Sequence, residues 1–301
     1  MMSSDLTTLT IRPLETMDDF HAAETLQSEI WPLAETEVTP AHVLTTVAHN
    51  GGLVLGAFEG ARLIGFVFGF LGTDQSDPDR PALARLKHCS HQLGVLPAYR
   101  DQNVGYRLKL AQRDFVSAQG VRLVTWTYDP LESRNARLNI AKLGAVCRTY
   151  LRDVYGQMRD ALNAGLASDR FQVDWWVTSA RVKERLFGRR APLNVESFTS
   201  AGATILNPAT PTPEGLPRPT DHPATFAGRL ALVEIPADFQ ALKTRDLALA
   251  RAWRQHTREL FEAAFQAGYL VTDFFHEHLG GRERSFYALS HGETRLERSD
   301  N

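Results

Sequence analysis

At 301 residues the chain is long enough for about two domains of ~150 residues, or one large domain with additions. Apolar residues at 43% and charged residues at 23% exclude wholesale disorder, and 33 Lys plus Arg against 35 Asp plus Glu leave a net charge of −2, which argues against a nucleic-acid backbone or an anionic membrane as main partner. Two cysteines, Cys89 and Cys147, are too few for a disulfide scaffold and fit reduced cytosolic thiols; the longest uncharged apolar run, Leu63 to Gly72, is half a membrane span, and MMSSDLTTLTIRPLE lacks an export-signal pattern. The expectation is a cytoplasmic protein with neither a membrane nor a nucleic-acid partner.

The first predicted element is a short strand carrying Leu9 and Ile11 and stopping at Pro13. Phe20, Ala23, Leu26 and Ile30 space a helix from Met17 to Ile30, which Trp31-Pro32 ends. A second helix starts at Thr39-Pro40, runs to His49 and closes at Asn50-Gly51-Gly52. GLVLGAFEG and ARLIGFVFGFLG form a hairpin about Glu59-Gly60; Gly65, Gly69 and Gly72 mark bulges or a close approach. After a polar loop from Thr73 to Pro81, His88 to Val95 reads as a strand. The turn AYRDQNVG then leads to an amphipathic helix from Tyr106 to Gln119, with Leu108, Ala111, Phe115 and Ala118 on one face. VRLVTWTY is a strand, Ser133 to Lys142 a helix stopped by Gly144, and CRTYLRDVYG and FQVDWWV are two more strands.

From Ala180 the character changes. After one short helix, Asn207 to Pro223 holds six of the fifteen prolines, the composition of a stiff linker or surface loop. A strand (RLALVEIP), a long helix from about Arg245 to Ala267, and the strands YLVTDFF and SFYALS follow; the tail beyond His291 is polar and reads as frayed. The expected boundaries are a domain over 1–180, a helix and proline-rich linker over 181–228, and an α/β lobe over 229–301.

The chemistry concentrates between Gln92 and Gly105, where an apolar strand enters a turn rich in Asn, Gln and Gly that opens a helix. Such a helix start aims backbone N–H groups at one spot and favours an anion there, although an ordinary strand–turn–helix link carries the same signature. The wider pattern resembles the GNAT superfamily of coenzyme A-dependent acyltransferases. Val95, Pro97, Tyr99, Arg100 and Gly105 match the family's Val-x-Pro-x-Tyr-Arg and following Gly-rich turn, with Gln102 and Val104 fitting between. Ala136, Lys142, Leu143, Gly144 and Ala145 echo its later Asn-x-x-Ala and Lys-x-Gly-Phe segments. The likeness spans roughly residues 9 to 178. It implies a mixed α/β fold with a mostly antiparallel central sheet flanked by helices; the C-terminal α/β extension reads as a degenerate half-repeat.

The resemblance implies an enzyme moving an acetyl group, or a longer one such as succinyl, from acyl-CoA to a primary amine of a small molecule, for example an amino acid. It assigns acetyl-CoA to Leu93, Gly94, Val95, Arg100, Gln102, Asn103, Val104, Gly105, Tyr106, Ser133 and Asn135. His91 and Glu132 are the candidate bases, against the alternatives of a hydrogen-bonded strand histidine and a solvated first-turn charge. Asn103 and Asp101 stand where the family has glycine, and Ile140 stands where it often has an acidic tyrosine, a role that Tyr128, Tyr150 or Tyr155 would have to fill; Tyr150 is the candidate carried forward. Arg134, Arg137 and Lys142 read as a solvated basic face or as partners of a 3′-phosphate. These departures leave a catalytically silent acyl-CoA-binding module as a rival. A metal-dependent hydrolase using His276 and His278, which share a strand face, is a weaker one, because no third ligand is suitably spaced and no metal site is assigned. The reading leaves room for a homodimer.

Overall fold

The structure, a computed structural model, describes residues 9–31, 37–156, 165–188, 191–220 and 225–292. The residues before Leu9, Pro32, the last residues of the proline-rich stretch and the polar tail from 293 on lie outside this range. Two compact units divide the chain, Met1–Trp126 and Thr127–Asn301, with the seam inside one strand.

In the first unit the strand order is β1-β2-β3-β4-β5. β1 (Leu9–Pro13), β2 (Leu53–Glu59), β3 (Arg62–Thr73) and β4 (Leu86–Val95) pair antiparallel in sequence order, and the β2–β3 hairpin turns at Gly60, whose φ is +59°. α1 (Met17–Ile30) starts where expected, on a reciprocal cap between Thr16 and Asp19, and buries Phe20, Ala23, Leu26 and Ile30. α2 (Ala41–His49) follows Pro40, which caps the helix from outside rather than opening it. α3 (Val104–Ala118) begins two residues before the predicted start. Leu44, Ile64, Phe66, Phe68 and Leu108 close the core between helices and sheet.

Two irregularities shape β4. Gln92 faces Phe68 and Ser90 faces Gly69, so His91 is an extra residue on β4, a bulge. β5 (Leu123–Tyr128) runs parallel to β4, with His88 opposite Val124 and Cys89 opposite Thr125. The ladder stops at that second pair while β4 continues to Val95, so the two strands part after Cys89 and Thr125.

The second unit contains the last two residues of β5, Thr127 and Tyr128, and the order from there is β5-β7-β6-β12-β13-β11-β8. α4 (Ser133–Ala136) passes into a π-helical turn (Arg137–Lys142), so the single predicted helix has two geometries before Gly144, at φ +72°, stops it. β6 (Val146–Leu151) and β7 (Arg170–Trp176) pair antiparallel. α5 (Ala180–Leu186) is followed by α6 (Val195–Ser200), which the sequence reading lacks. Short strands β8 (Thr204–Ile205), β9 (Thr210–Pro211) and β10 (Pro217–Arg218) frame the proline-rich stretch. After β11 (Leu230–Ile235) comes α7 (Phe239–Arg245), which the sequence reading lacks; Asp246, in extended conformation, separates it from α8 (Leu247–Gln266), which is the predicted long helix. β12 (Tyr269–Leu279) and β13 (Arg282–His291) form a hairpin through Gly280 and Gly281, both at positive φ, and extend further than the predicted strands.

The strand order repeats. β5, a helix, β6 and β7 are arranged β5-β7-β6; β11, two helices, β12 and β13 are arranged β11-β13-β12, with β6 beside β12. Each opening strand also has a parallel neighbour, β4 for β5 and β8 for β11. This is the topology of the half-repeat.

Candidate functional site

The turn after β4 is built from its residues in order. Pro97 to Tyr99 form one 3-10 turn, and the Tyr99 hydroxyl donates to Glu59 at 2.5 Å. The Arg100 guanidinium donates to the Val95 carbonyl at 3.3 Å and the Ile30 carbonyl at 3.4 Å, tying the turn to the end of β4 and the end of α1. Asp101 and Asn103 then both adopt left-handed backbone, at φ +64° and +61°. These are the two positions where the resembled family carries glycine, and the backbone keeps the glycine-type path although the side chains differ. Asn and Asp enter this region at lower cost than other side chains. Asn103 is the N-cap of α3 but its side chain makes no capping hydrogen bond, and the first intrahelical bond is Arg107 N–H to the Asn103 carbonyl. The N–H groups of Val104 and Gly105 therefore have no intrahelical acceptor at the positive end of the helix dipole.

The structure thus gathers Leu93, Gly94, Val95, Arg100, Gln102, Asn103, Val104, Gly105 and Tyr106 on one strand end, turn and helix start of the first unit. Their roles differ from the flat sequence assignment. Gly94 is a packing glycine: a Cβ there would come within 2.7 Å of Ile30 and 2.8 Å of Trp31. Arg100 holds the turn, and the Gln102 amide bonds back to the Ala98 carbonyl at 3.0 Å. Burial pushes the Tyr106 hydroxyl up. Two glycines of β3 are close-packed: a Cβ on Gly69 would collide with the Cys89 carbonyl and the His88 ring, and one on Gly65 would press on Gly94 and Val95, whereas Gly72 faces open space.

His91, the bulge residue, packs its ring 5.1 Å from Phe68 and 6.0 Å from Phe70, and burial lowers its pKa. The other candidates belong to the second unit. Glu132, at the N-cap of α4, has its carboxyl pushed up by burial, with a hydrogen bond from Gln240 pulling the other way. The Tyr150 hydroxyl donates a hydrogen bond to Asp169 at 2.7 Å; burial first, and the neighbouring carboxylates, hold the phenol well above its ordinary range despite the opposing Arg254. Asp169 also takes two bonds from Arg258 at 2.8 Å, and Arg254 pairs with Asp129, so Tyr150 is part of a structural ionic network. Ser133 donates to the Pro236 carbonyl at 3.0 Å, and Asn135 is exposed. His276 and His278 share hydrogen bonds with Ser285 and Glu283, and among the described residues no group of three His, Cys, Asp or Glu side chains is placed to hold a metal.

One cluster escapes the sequence reading. The apolar stripe predicted for α3 skips Lys109 and Gln112, yet both are buried along with Val104, Leu108 and Val116. Lys109 is 2% exposed; its Nζ donates to Ser90 Oγ at 2.8 Å and Gln112 Oε1 at 3.1 Å, and lies 3.7 Å from the centre of the Trp126 ring. Gln112 Nε2 is 3.2 Å from His88 Nε2. Burial lowers Lys109 to about 7, and burial together with Lys109 lowers His88 to about 4. The signal was present as the i, i+4 series 104, 108, 112, 116, hidden because one member is polar.

No family model and no curated protein matches the sequence. The likeness to solved structures is one of fold alone. NAA60 of Arabidopsis thaliana in complex with a bisubstrate analogue is 16% identical, with a TM-score of 0.46, over 56% of this chain and 99% of its own. The ribosomal-protein-S18-alanine N-acetyltransferase of Escherichia coli is 18% identical, with a TM-score of 0.41, over 57% of this chain and 96% of its own. An acetyltransferase of the GNAT family from Streptococcus pneumoniae is 15% identical, with a TM-score of 0.43, over 55% of this chain and 98% of its own.

Proposed function

We propose that the chain is an acyl-CoA-dependent N-acyltransferase that moves an acetyl group to a primary amine of a small molecule, with an amino acid as the model acceptor. The observation that carries this reading is the left-handed backbone at both Asp101 and Asn103, leading straight into α3, whose start has no side-chain cap, with the free edge of β4 past its parting from β5 just before it. Val104 and Gly105 N–H groups would hold the diphosphate, and the edge of β4 left without β5 would receive the pantetheine arm in the manner of a strand. The thioester carbonyl, polarised there by backbone N–H groups, would be attacked directly by the amine.

The proton on that amine decides what else the site needs. An α-amine of pKa ~8 is about a tenth neutral at pH 7, a cost of ~1.4 kcal/mol, whereas a lysine-like amine at ~10.4 costs about 4.6 kcal/mol. The departing thiolate, of pKa ~8.5, leaves without an obligatory acid, so Ile140 in the tyrosine's place is compatible with turnover. The test has two arms. Coenzyme A alone should raise the melting temperature, and a panel of acyl-CoAs against amino-acid, peptide and polyamine pools should release free thiol. Gly105→Val, which improves helix propensity while crowding the helix start, should abolish both signals without unfolding the protein. A shift without thiol release from any pool would leave the silent binding module; no shift at all would end the coenzyme reading.

A further inference from the structure

The point where β4 leaves β5 is occupied from one face by an amine. Cys89 and Thr125 are the last paired residues, and Ser90 and Trp126 are the next residue on each strand. Lys109 Nζ touches both side chains, Ser90 by a 2.8 Å hydrogen bond and Trp126 at its ring, besides its bond to Gln112 on its own helix. A buried lysine ordinarily demands a carboxylate. Here Ser90, Gln112 and Trp126 are the partners, and among the described residues no carboxylate pairs with it. The titratable groups around it are accounted for. β4 brings His88, Cys89, its thiol pushed up by burial, and His91, lowered by burial, with Lys87 at the far end of the strand; β5 brings Tyr128, a phenol pushed up by burial and hydrogen-bonded to Tyr287. On α3 itself Arg113 pairs with Asp114 and Arg107 bonds the Leu9 carbonyl, away from Nζ. Arg12, Glu59 and Arg62 on β1, β2 and β3 complete the charges of the packed strands, with Arg12 held by Asp19 and Glu59 by Tyr99.

We propose that Lys109 is the proton acceptor of the acyl transfer, working through the Ser90 hydroxyl at the apex of the β4–β5 opening. This rests on the acyltransferase reading, which puts the thioester in that opening. With Lys109 neutral, the Ser90 hydroxyl turns from Gln112 Oε1, its acceptor at 3.1 Å, to Nζ; the substrate ammonium then loses one proton to Ser90 Oγ while the hydroxyl proton passes to Lys109 Nζ. The freed amine nitrogen bonds to the carbonyl carbon, and the C–S bond breaks with its electron pair on sulfur. The second proton lost by the nitrogen goes to the thiolate, giving free coenzyme A thiol and amide. Lys109 returns its proton to solvent. A lysine lowered to about 7 is neutral for half of the molecules at neutral pH, which a lysine in water is not. Lys109 acts through Ser90 and is therefore a positioning and relay residue.

The experiment compares kcat/KM against pH for the wild type, Lys109→Met, Lys109→Arg and Ser90→Ala, with coenzyme A thermal shift and intact-protein mass on each. The wild type should show an acid limb near pH 7. Lys109→Met and Lys109→Arg should each lose 10²- to 10⁴-fold in kcat, lose that limb, and keep the coenzyme-induced shift. Lys109→Met replaces a buried charge by an apolar chain of similar length, so it should melt no lower than the wild type. A Lys109→Met enzyme that keeps its rate and its acid limb overturns the proposal alone. Acyl mass recovered on Lys109 makes it an acceptor and also overturns it. Absence of thiol release by the wild type overturns the acyltransferase reading, and the proposal falls with it.

Discussion

Asn103 and Asp101 show what a single backbone torsion says that a side chain does not. Both sit at positive φ without being glycine, and a residue with a Cβ pays about 1–2 kcal/mol there, less for Asn and Asp. Asn103→Ala should therefore cost about 1 kcal/mol in urea denaturation, while Asn103→Gly should be close to neutral. Asp101→Gly, which removes an exposed carboxylate next to the expected diphosphate, should tighten coenzyme A binding, and more so at low salt. The turn was legible because Asn and Asp are the substitutes a left-handed position accepts. The Lys109 cluster was not, because a lysine and a glutamine on a helix look solvated until Ser90 and His88 are found across from them. His88 carries its own pH signature. Its pKa is about 4 when folded and about 6.5 when exposed, so the folded state keeps the ring neutral. The stability this contributes is present above pH 6.5 and is lost as pH falls toward 4, by up to about 3 kcal/mol. Urea midpoints at pH 7.5 and pH 5 should fall further apart for the wild type than for His88→Asn.

Elements were readable where a cap and an apolar period agree. α1 has both, and its bounds match the prediction. α8 was found and α7 was missed, being only seven residues long; what separates them is Asp246, whose side chain accepts from Leu249 N–H and whose own backbone is extended. An N-cap of that kind is worth ~1 kcal/mol, so Asp246→Ala should lower stability by about that amount while leaving far-UV helix content nearly unchanged. The π-helical turn at Arg137–Lys142 has no sequence signature of its own, and α6 is too short for a periodic pattern to emerge. β4 was placed correctly, but its bulge at His91 and its early parting from β5 depend on pairing partners distant in sequence. Those two irregularities are what make the strand a candidate site rather than a core strand.

At the scale of the whole chain, the mixed, mostly antiparallel sheet flanked by helices is as expected, and no helix among the described residues is long and apolar enough to cross a membrane. The half-repeat was faintly visible in the similar order of strand, long helix and strand, and becomes definite in the strand order β11-β13-β12 with β8 parallel to β11. The seam within β5 has no compositional mark, in contrast to the conspicuous proline-rich stretch. The two copies differ at one step. In the first, the strand parallel to β5 runs into the left-handed turn and α3; in the second, β8 runs into proline-bearing chain that, among the described residues from 206 to 229, forms no helix. On the proposed function the second copy therefore adds no coenzyme site: calorimetric titration should saturate at one nucleotide for each polypeptide, and saturation at two would mean that an anion is being held without any helix dipole to greet it.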